Sequence, residues 1–185
     1  MTFDPALHEY RDGDTIIESV TQILKRAGLI DDRWFSEEAR DRGSAVHTLC
    51  ERYAHGIRFD NTGRPLASLQ YVNAFAQFIE DFGAYAIDTE TLIYGEINGH
   101  RYAGKYDLLA EIKSKRVLID IKTGAKAKWH PVQLAAYAMQ AKPHSAMDLY
   151  LKANGTYQAS WLTPGQLVDG GRIFKSALMT RRSQE

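Results

Sequence analysis

Two aspartates and a lysine stand at a spacing that suits a shared site. Asp107 closes the segment Gly104–Asp107, and Asp120 opens the segment Asp120–Gly124, in which Lys122 follows two positions later. The number of residues between the aspartates suits one strand, a tight turn and one strand back, which brings both aspartates to the same end of an antiparallel pair. Because side chains alternate along a strand, Asp120 and Lys122 share a face.

This combination suits the hydrolysis of phosphodiester bonds. The two carboxylates and the backbone carbonyl of Ile121 are hard oxygen ligands of the kind that Mg²⁺ or Mn²⁺ takes. Such an ion polarises a phosphate oxygen and lowers the pKa of a bound water. Lys122 could position or deprotonate that water, or stabilise charge on the phosphate. The structural alternative is a simple ion pair between Asp120 and Lys122.

The periodicity of apolar residues predicts the elements that carry these groups. In chain order they are a hairpin at 8–17, a helix from the N-cap Ser19 to near Gly28, helices at 33–55 and 67–82, strands at 89–97, 101–111 and 116–122, a helix at 130–141, strands at 147–152 and 156–162, and a helix at 164–179. This order predicts an α/β fold with a central mixed β-sheet flanked by helices. We expect one domain over 1–185, with a mainly helical part at 1–88, a catalytic sheet core at 89–163, and a C-terminal helix and tail at 164–185.

Composition places the chain among ordinary globular proteins. It has 185 residues, 44% of them hydrophobic and 25% charged, with zero net charge. This balance argues against indiscriminate polyanion binding but leaves nucleic acid open as a substrate. No apolar run suits a membrane helix and the N-terminus lacks a signal-peptide pattern, so we expect a cytoplasmic protein without membrane contact. The single cysteine, Cys50, excludes an internal disulfide and a four-thiolate iron–sulfur cluster.

Five motifs occur in a fixed order: a histidine after a glycine, an acidic residue, G-x-x-D, D-x-K-T and Q-x-x-x-Y. They are Gly43 through His47, Glu90, Gly104–Asp107, Asp120–Thr123, and Gln133 with Tyr137. This ordered set resembles the RecB-like branch of the PD-(D/E)XK nucleases, and the segment Tyr10–Leu24 resembles the start of phage-type members. The resemblance implies a restriction-endonuclease-like fold in which an N-terminal helical region forms one wall of the cleft.

The resemblance also implies a role for each matching position. Glu96 is a nearby acidic alternative to Glu90, and His47 could instead be an ordinary packed histidine. The cofactor would be one or two Mg²⁺ or Mn²⁺ ions, without an iron–sulfur cluster. The implied catalytic residues are Asp107, Asp120, Lys122 and Glu90, and the implied metal ligands are His47, Asp107, Asp120, Glu90 and the backbone carbonyl of Ile121.

Contacts with DNA are expected around this centre. The Q-x-x-x-Y pair would contact the DNA strand or orient the site, and cations beside the motifs are candidate phosphate contacts. The candidate DNA-binding residues are Gln133, Tyr137, Lys126, Lys128 and Arg42. Three aromatic residues could stack on bases or equally pack in the core; they are Trp34, Phe35 and Trp129.

The predicted function is metal-dependent hydrolysis of DNA. By resemblance, the favoured form is an exonuclease acting on DNA ends in phage or prophage recombination, replication or repair. The sequence has no Gly-rich Walker loop, so a motor would have to come from a recombination or helicase partner. The alternative function is a catalytically inactive or partner-dependent DNA-binding subunit of a recombination complex.

Overall fold

Eight strands and five helices make up the described part of the chain. A computed structural model describes residues 2–4, 7, 9–31, 36–57 and 66–180. In chain order the elements are β1 (Thr2–Asp4), β2 (Glu9–Asp12), β3 (Thr15–Ile17), α1 (Val20–Arg26), α2 (Glu37–Ala54), α3 (Leu66–Phe82), β4 (Tyr85–Ile97), β5 (His100–Ile112), β6 (Lys115–Lys122), α4 (His130–Ala141), β7 (Ser145–Leu151), β8 (Tyr157–Trp161) and α5 (Pro164–Met179).

The central sheet has the strand order β4-β5-β6-β7-β8. Neighbouring strands are antiparallel except for β6 and β7, which run parallel. Parallel neighbours require a crossover connection, and α4 provides it. The prediction of an α/β fold with a central mixed sheet flanked by helices is therefore confirmed.

Strand β6 shows how the sheet is covered on both faces. Leu118 packs with residues of α1, α4 and α5, whereas Ile119 and Ile121 pack with residues of α2 and α3. Alternation along the strand therefore sends successive apolar side chains into two separate cores. This explains the nearly continuous apolar sequence of β6, and it places Asp120 and Lys122 on the α4 side.

Local signals at the element ends act as the sequence predicts. The Ser19 side chain accepts a hydrogen bond from the Gln22 backbone N–H, and the Gln22 side chain accepts one from the Ser19 N–H. This reciprocal pair is a capping box that starts α1. Asn98 and Gly99 have positive φ values of 51° and 79°, as a two-residue hairpin between β4 and β5 requires.

The N-terminal part is less helical than the sequence predicts. Strands β1, β2 and β3 form a separate three-stranded antiparallel sheet, of which the sequence predicts only the β2–β3 hairpin. Strand β4 begins at Tyr85 rather than at 89. A register shift between Ala86 and Asp88 breaks the alternation that marks a strand in sequence, so this early part of β4 escapes the pattern.

Some expectations fall outside the described residues. They concern the start of the helix at 33–35, with Trp34 and Phe35, and the start of the hairpin at His8. Within the described ranges, no helix is long and apolar enough to cross a membrane.

Helices α4 and α5 approach closely at Gly170. A Cβ there would lie 2.8 Å from the Ala135 Cβ and 3.0 Å from the Pro131 carbonyl oxygen. We therefore expect Gly170→Ala to lower the free energy of unfolding by about 1–3 kcal/mol through overpacking. Gly171 is the matched control, because a Cβ there meets no described heavy atom within 4 Å, and Gly171→Ala should gain up to about 1 kcal/mol from helix propensity. Urea unfolding measures both, and equal destabilisation would contradict this explanation.

Candidate active site

The strand pair β5–β6 opens where the two aspartates lie. The paired positions run from the turn as far as Leu108 and Ile119, and the next opposed positions are Asp107 and Asp120. There, Asp107 Oδ2 accepts a hydrogen bond of 2.6 Å from the Ile121 N–H, so a side chain takes the place of the strand partner. Both aspartates lie at one end of this strand pair, as their spacing predicts.

His47, Glu90 and Asp107 form a cluster that could hold a metal ion. One potential ligand atom from each lies within 4.8 Å of the other two. His47 Nδ1 is 3.3 Å from Asp107 Oδ1 and 3.9 Å from Glu90 Oε1. The antiparallel register of β4 and β5 places Glu90 opposite Asp107. Glu96 is exposed and pairs in register with Arg101, so Glu90 rather than Glu96 belongs to this cluster, which we call the acidic trio.

Backbone conformation and an ion pair hold Glu90 in the acidic trio. Glu90 has a positive φ of 45° in the middle of β4, which is uncommon for a residue other than glycine. Its carboxylate forms an ion pair with Lys105. Burial raises the pKa of Glu90 and Asp107 adds to the increase, while Lys105 and His47 oppose it.

The imidazole of His47 connects the acidic trio to β6. Its Nε2 donates a hydrogen bond of 2.9 Å to the Ile121 carbonyl oxygen, which leaves Nδ1 facing the two carboxylates. Burial lowers the pKa of His47, but Asp107, followed by Glu90 and Asp120, outweighs this effect and raises the pKa to about 9. The carboxylates thus favour the protonated form of the ring, and the Ile121 carbonyl, predicted as a metal ligand, accepts a hydrogen bond from Nε2.

Asp120 and Lys122 form a buried ion pair beside the acidic trio. Only 4% of the Asp120 side chain and 14% of the Lys122 side chain are exposed. Burial raises the pKa of Asp120 to about 6, with Asp107 adding to the increase and Lys122 opposing it. The ion pair between Asp120 and Lys122, which the sequence offers as the alternative to a metal site, is thus present. Asp120 points toward the lysine in this conformation.

Hydrogen bonds connect Lys122 to the Q-x-x-x-Y motif. Lys122 Nζ donates to Gln133 Oε1 at 2.7 Å. Gln133 Nε2 donates to Thr21 Oγ1 at 3.0 Å and to Tyr137 OH at 3.1 Å. Gln133 and Tyr137 are buried, so their polar groups are directed at Lys122 and α1 rather than at a surface that DNA can reach.

Gly104 makes room for this motif. A Cβ at Gly104 would lie 2.7 Å from Tyr137 Cε1 and 3.4 Å from Ile93 Cγ1. The glycine of G-x-x-D therefore lets the Tyr137 ring lie directly against β5, in the position from which it supports Gln133. One close contact thus couples two motifs that are far apart in the sequence.

Two hollows meet at Gly43 and His47, which line both. The hollow of about 510 Å³ is bordered by Glu90, Asp107 and Lys105 among others. The other, of about 600 Å³, is called the lysine groove here; its lining includes Arg40, Arg42, Lys122, Lys126, Trp129 and His130. The acidic trio therefore borders the first hollow and Lys122 borders the lysine groove, and the two hollows are neighbours.

The predicted DNA-contacting cations are placed differently around the lysine groove. Arg42 and Lys126 line it, and the exposed Lys126 Nζ lies 5.2 Å from the Tyr150 ring centroid. Lys128 is exposed but does not border either of the two hollows. The Trp129 ring lies 5.2 Å from Lys122 Nζ and is half-buried, so it contributes both to packing and to the groove wall.

Sequence reasoning missed the buried acid Asp148 on β7. Asp148 is the parallel register partner of Asp120 and is 1% exposed. His130 is also buried, and its Nδ1 lies 2.9 Å from the Tyr150 hydroxyl. Burial, with a smaller effect from Lys122, lowers the pKa of His130 to about 3, so this ring is neutral. The available signal for Asp148 was an acid inside the otherwise apolar run of β7.

Comparisons with known proteins show similarity of fold. No protein-family model matches the chain, and no curated protein matches it. A solved structure from Eubacterium rectale, named as a candidate exonuclease, has a TM-score of 0.50 and 14% identity over 84% of this chain and 69% of that chain. The structure of SSO0001 has a TM-score of 0.36 and 18% identity over 74% of this chain and 77% of that one, too low a score to support a shared fold.

The contact between Gly104 and Tyr137 can be measured as a coupling. We expect Gly104→Ala to destabilise the protein by about 1–3 kcal/mol, because the added methyl group collides with the Tyr137 ring. In a Tyr137→Leu background this cost should fall by at least about 1 kcal/mol. Gly124→Ala is the control, because a Cβ there meets no described heavy atom within 4 Å. A cost for Gly104→Ala that is the same in both backgrounds would exclude the proposed contact.

The metal-free protein should lose stability as pH rises. The pKa values of His47, Asp120 and Asp148 are raised to about 9, 6 and 7, so the folded state binds more protons than the unfolded chain between their unfolded and folded values. Between about pH 5.5 and 8, stability therefore falls as these three groups lose their protons. The lowered pKa of His130, about 3, opposes part of this loss, because its ring is neutral in the folded protein throughout this range. Thermal unfolding in EDTA should show a midpoint roughly 4 °C or more lower at about pH 8 than at about pH 5.5. A midpoint that increases over this range would contradict these assignments.

Proposed function

We propose that this chain is a metal-dependent deoxyribonuclease related to the RecB-like PD-(D/E)XK enzymes, and that it acts as an exonuclease on DNA ends. The observation that supports this function best is the acidic trio lying beside a buried Asp120–Lys122 pair at the opened end of β5 and β6. Phage or prophage recombination, replication or repair is the setting that the sequence resemblance suggests. The fold similarity to a candidate exonuclease agrees with this proposal.

The donor set of the acidic trio fits a divalent cation. It offers one imidazole nitrogen and two carboxylates within 4.8 Å of one another, and carboxylate oxygen suits Mg²⁺ and Mn²⁺. Burial and the neighbouring Asp107 raise the pKa of Glu90. The two carboxylates therefore repel each other, and a bound cation would stabilise both in their ionised form. Asp120 would join His47, Glu90 and Asp107 as a ligand if its carboxylate turned away from Lys122.

When bound, the cation would polarise a phosphate oxygen and activate the attacking water. The protein's own groups contribute the remaining chemistry. Burial lowers the pKa of Lys122, but Asp120 and Asp107 outweigh it and raise the pKa above its usual value. In this proposal Lys122 acts as a cation that donates hydrogen bonds to the water or the phosphate.

Gln133 and Tyr137 act as positioning residues in this proposal. Gln133 accepts a hydrogen bond from Lys122 Nζ, and Tyr137 accepts one from the Gln133 amide. Both side chains are buried, so of the two roles that the resemblance implies, orientation of the site suits them better than contact with DNA. Phosphate contact is assigned to the cations nearer the surface, which are Arg42, Lys126 and Lys128.

A partner-dependent subunit is the second candidate function. The observation that favours it is that Asp120 is paired with Lys122. Asp120 would have to leave the lysine before it could bind a metal ion. A recombination or helicase partner that promotes this change would make the isolated chain inert and the complex active.

Cleavage of end-labelled DNA tests the proposed function. Single- and double-stranded substrates labelled at the 5′ or the 3′ end should be shortened from an end with Mn²⁺ or Mg²⁺ and remain intact with EDTA. We expect Asp107→Asn and Glu90→Gln to lower the cleavage rate by at least about a hundredfold, since each removes a charge from the proposed metal site. Glu96→Gln is the matched control on the same strand and should retain full activity.

The outcomes separate the candidate functions. Internal cuts would retain the nuclease and remove the exonuclease assignment. DNA binding without cleavage under both metals would favour the partner-dependent subunit. Full activity of the Asp107→Asn protein would remove the acidic trio from the mechanism.

A further inference from the structure

Asp148 is a buried carboxylate with no assigned role. It lies in the middle of β7 and is 1% exposed. All the other residues of this strand except the first, Ser145, are also buried. Among the described residues, its Oδ1 has no hydrogen-bond partner. Burying a carboxylate oxygen without a hydrogen-bond partner is costly, so its presence requires an explanation in terms of neighbouring charges.

The register of the sheet places Asp148 beside the buried ion pair. β6 and β7 run parallel, and Asp120 is paired directly with Asp148. Adjacent strands lie about 4.8 Å apart, and register partners in parallel strands point to the same face. Asp148 therefore lies on the face that carries Asp120 and Lys122. Burial and Asp120 raise the pKa of Asp148 to about 7, while Lys122 and Lys126 oppose the increase.

Lys122 depends mainly on Asp120 for charge compensation, with smaller contributions from Asp107 and Asp148. Its ammonium is largely buried and has two close contacts, with the Asp120 carboxylate and with the neutral Gln133 amide. If Asp120 turns toward a cation held by the acidic trio, Lys122 loses this counter-ion. Removing one member of a buried ion pair leaves an uncompensated charge, which is strongly unfavourable.

We propose that Asp148 is the second counter-ion of Lys122, which takes over the ammonium group when Asp120 turns toward the metal ion. This inference rests on the proposed metal site. Asp148 is a positioning residue here and not a metal ligand, because β6 separates β7 from β5 and β4, the strands that carry Asp107 and Glu90. Its unpartnered Oδ1 is the acceptor that the displaced ammonium needs.

The exchange predicts that Asp148 acts on metal affinity only through Lys122. Asp148→Asn keeps the shape of the side chain but removes the charge, so Asp120 would remain bound to the lysine. We expect this variant to bind Mn²⁺ about tenfold more weakly than the wild type by titration calorimetry. In a Lys122→Met background, Asp120 is no longer paired with a lysine, so Asp148 has no ammonium group to accept. Adding Asp148→Asn there should change Mn²⁺ affinity by less than about twofold.

Two further variants control the experiment. Asp169→Asn removes an exposed acid of α5 that pairs with Arg172 and should leave Mn²⁺ affinity unchanged. Asp148→Ser is the second substitution if Asp148→Asn does not fold, as judged by circular dichroism, and it should show the same dependence on Lys122.

The results distinguish this inference from the proposed function. Equal losses of Mn²⁺ affinity with and without Lys122→Met would overturn the counter-ion exchange and would make Asp148 a direct or purely structural contributor. Unchanged affinity in Asp148→Asn would also overturn it, while metal-dependent cleavage by the wild type would leave the nuclease assignment standing. A wild-type protein that binds no Mn²⁺ and cuts no DNA would remove both.

Discussion

The structure depends on how it compensates a group of buried negative charges at the point where β5 and β6 separate. Asp107 and Asp120 occupy the next opposed positions beyond the last paired residues of β5 and β6, and Glu90 lies opposite Asp107 on the neighbouring strand. Carboxylates this close cannot all remain ionised without opposing charge or hydrogen bonds. The protein supplies both through Lys122, Lys105, His47 and the Ile121 N–H, with which these acids pair.

Elements on both faces of the sheet converge on these charges. Helix α2 brings His47 from the side of the Ile119 core, and its ring reaches the Ile121 carbonyl and the Asp107 carboxylate. Helix α4 brings Gln133 from the opposite face to Lys122. The site is thus a place where two otherwise separate halves of the molecule meet. A change in the charge of this site therefore alters contacts to helices on both faces of the sheet.

Two groups lie where the proposed divalent ion would bind. His47 Nδ1 faces Asp107 and Glu90, and the ammonium of Lys122 faces Asp120. A divalent ion would have to displace a proton and separate an ion pair before it acquired its full ligand set. In the proposed metal site, metal binding would therefore be linked to proton release and to the ion-pair exchange.

The sequence by itself determined the elements and the convergence of the acids, because both follow from local rules. Alternation placed Asp120 and Lys122 on one face, the Asn98–Gly99 turn fixed the register that sets Glu90 opposite Asp107, and glycine and capping residues marked most element ends. Only β1, the early part of β4 and the extent of the small sheet escaped, where strands are short or their alternation is interrupted.

The tertiary structure alone decided which charged group each side chain meets. It directed Gln133 and Tyr137 inward, joined Lys122 to Gln133, and set Asp148 beside Asp120 through the parallel β6–β7 register. Local periodicity specifies the face on which a side chain lies. Its partner depends on which distant strand or helix packs against that face, and on the balance between desolvation and pairing that results.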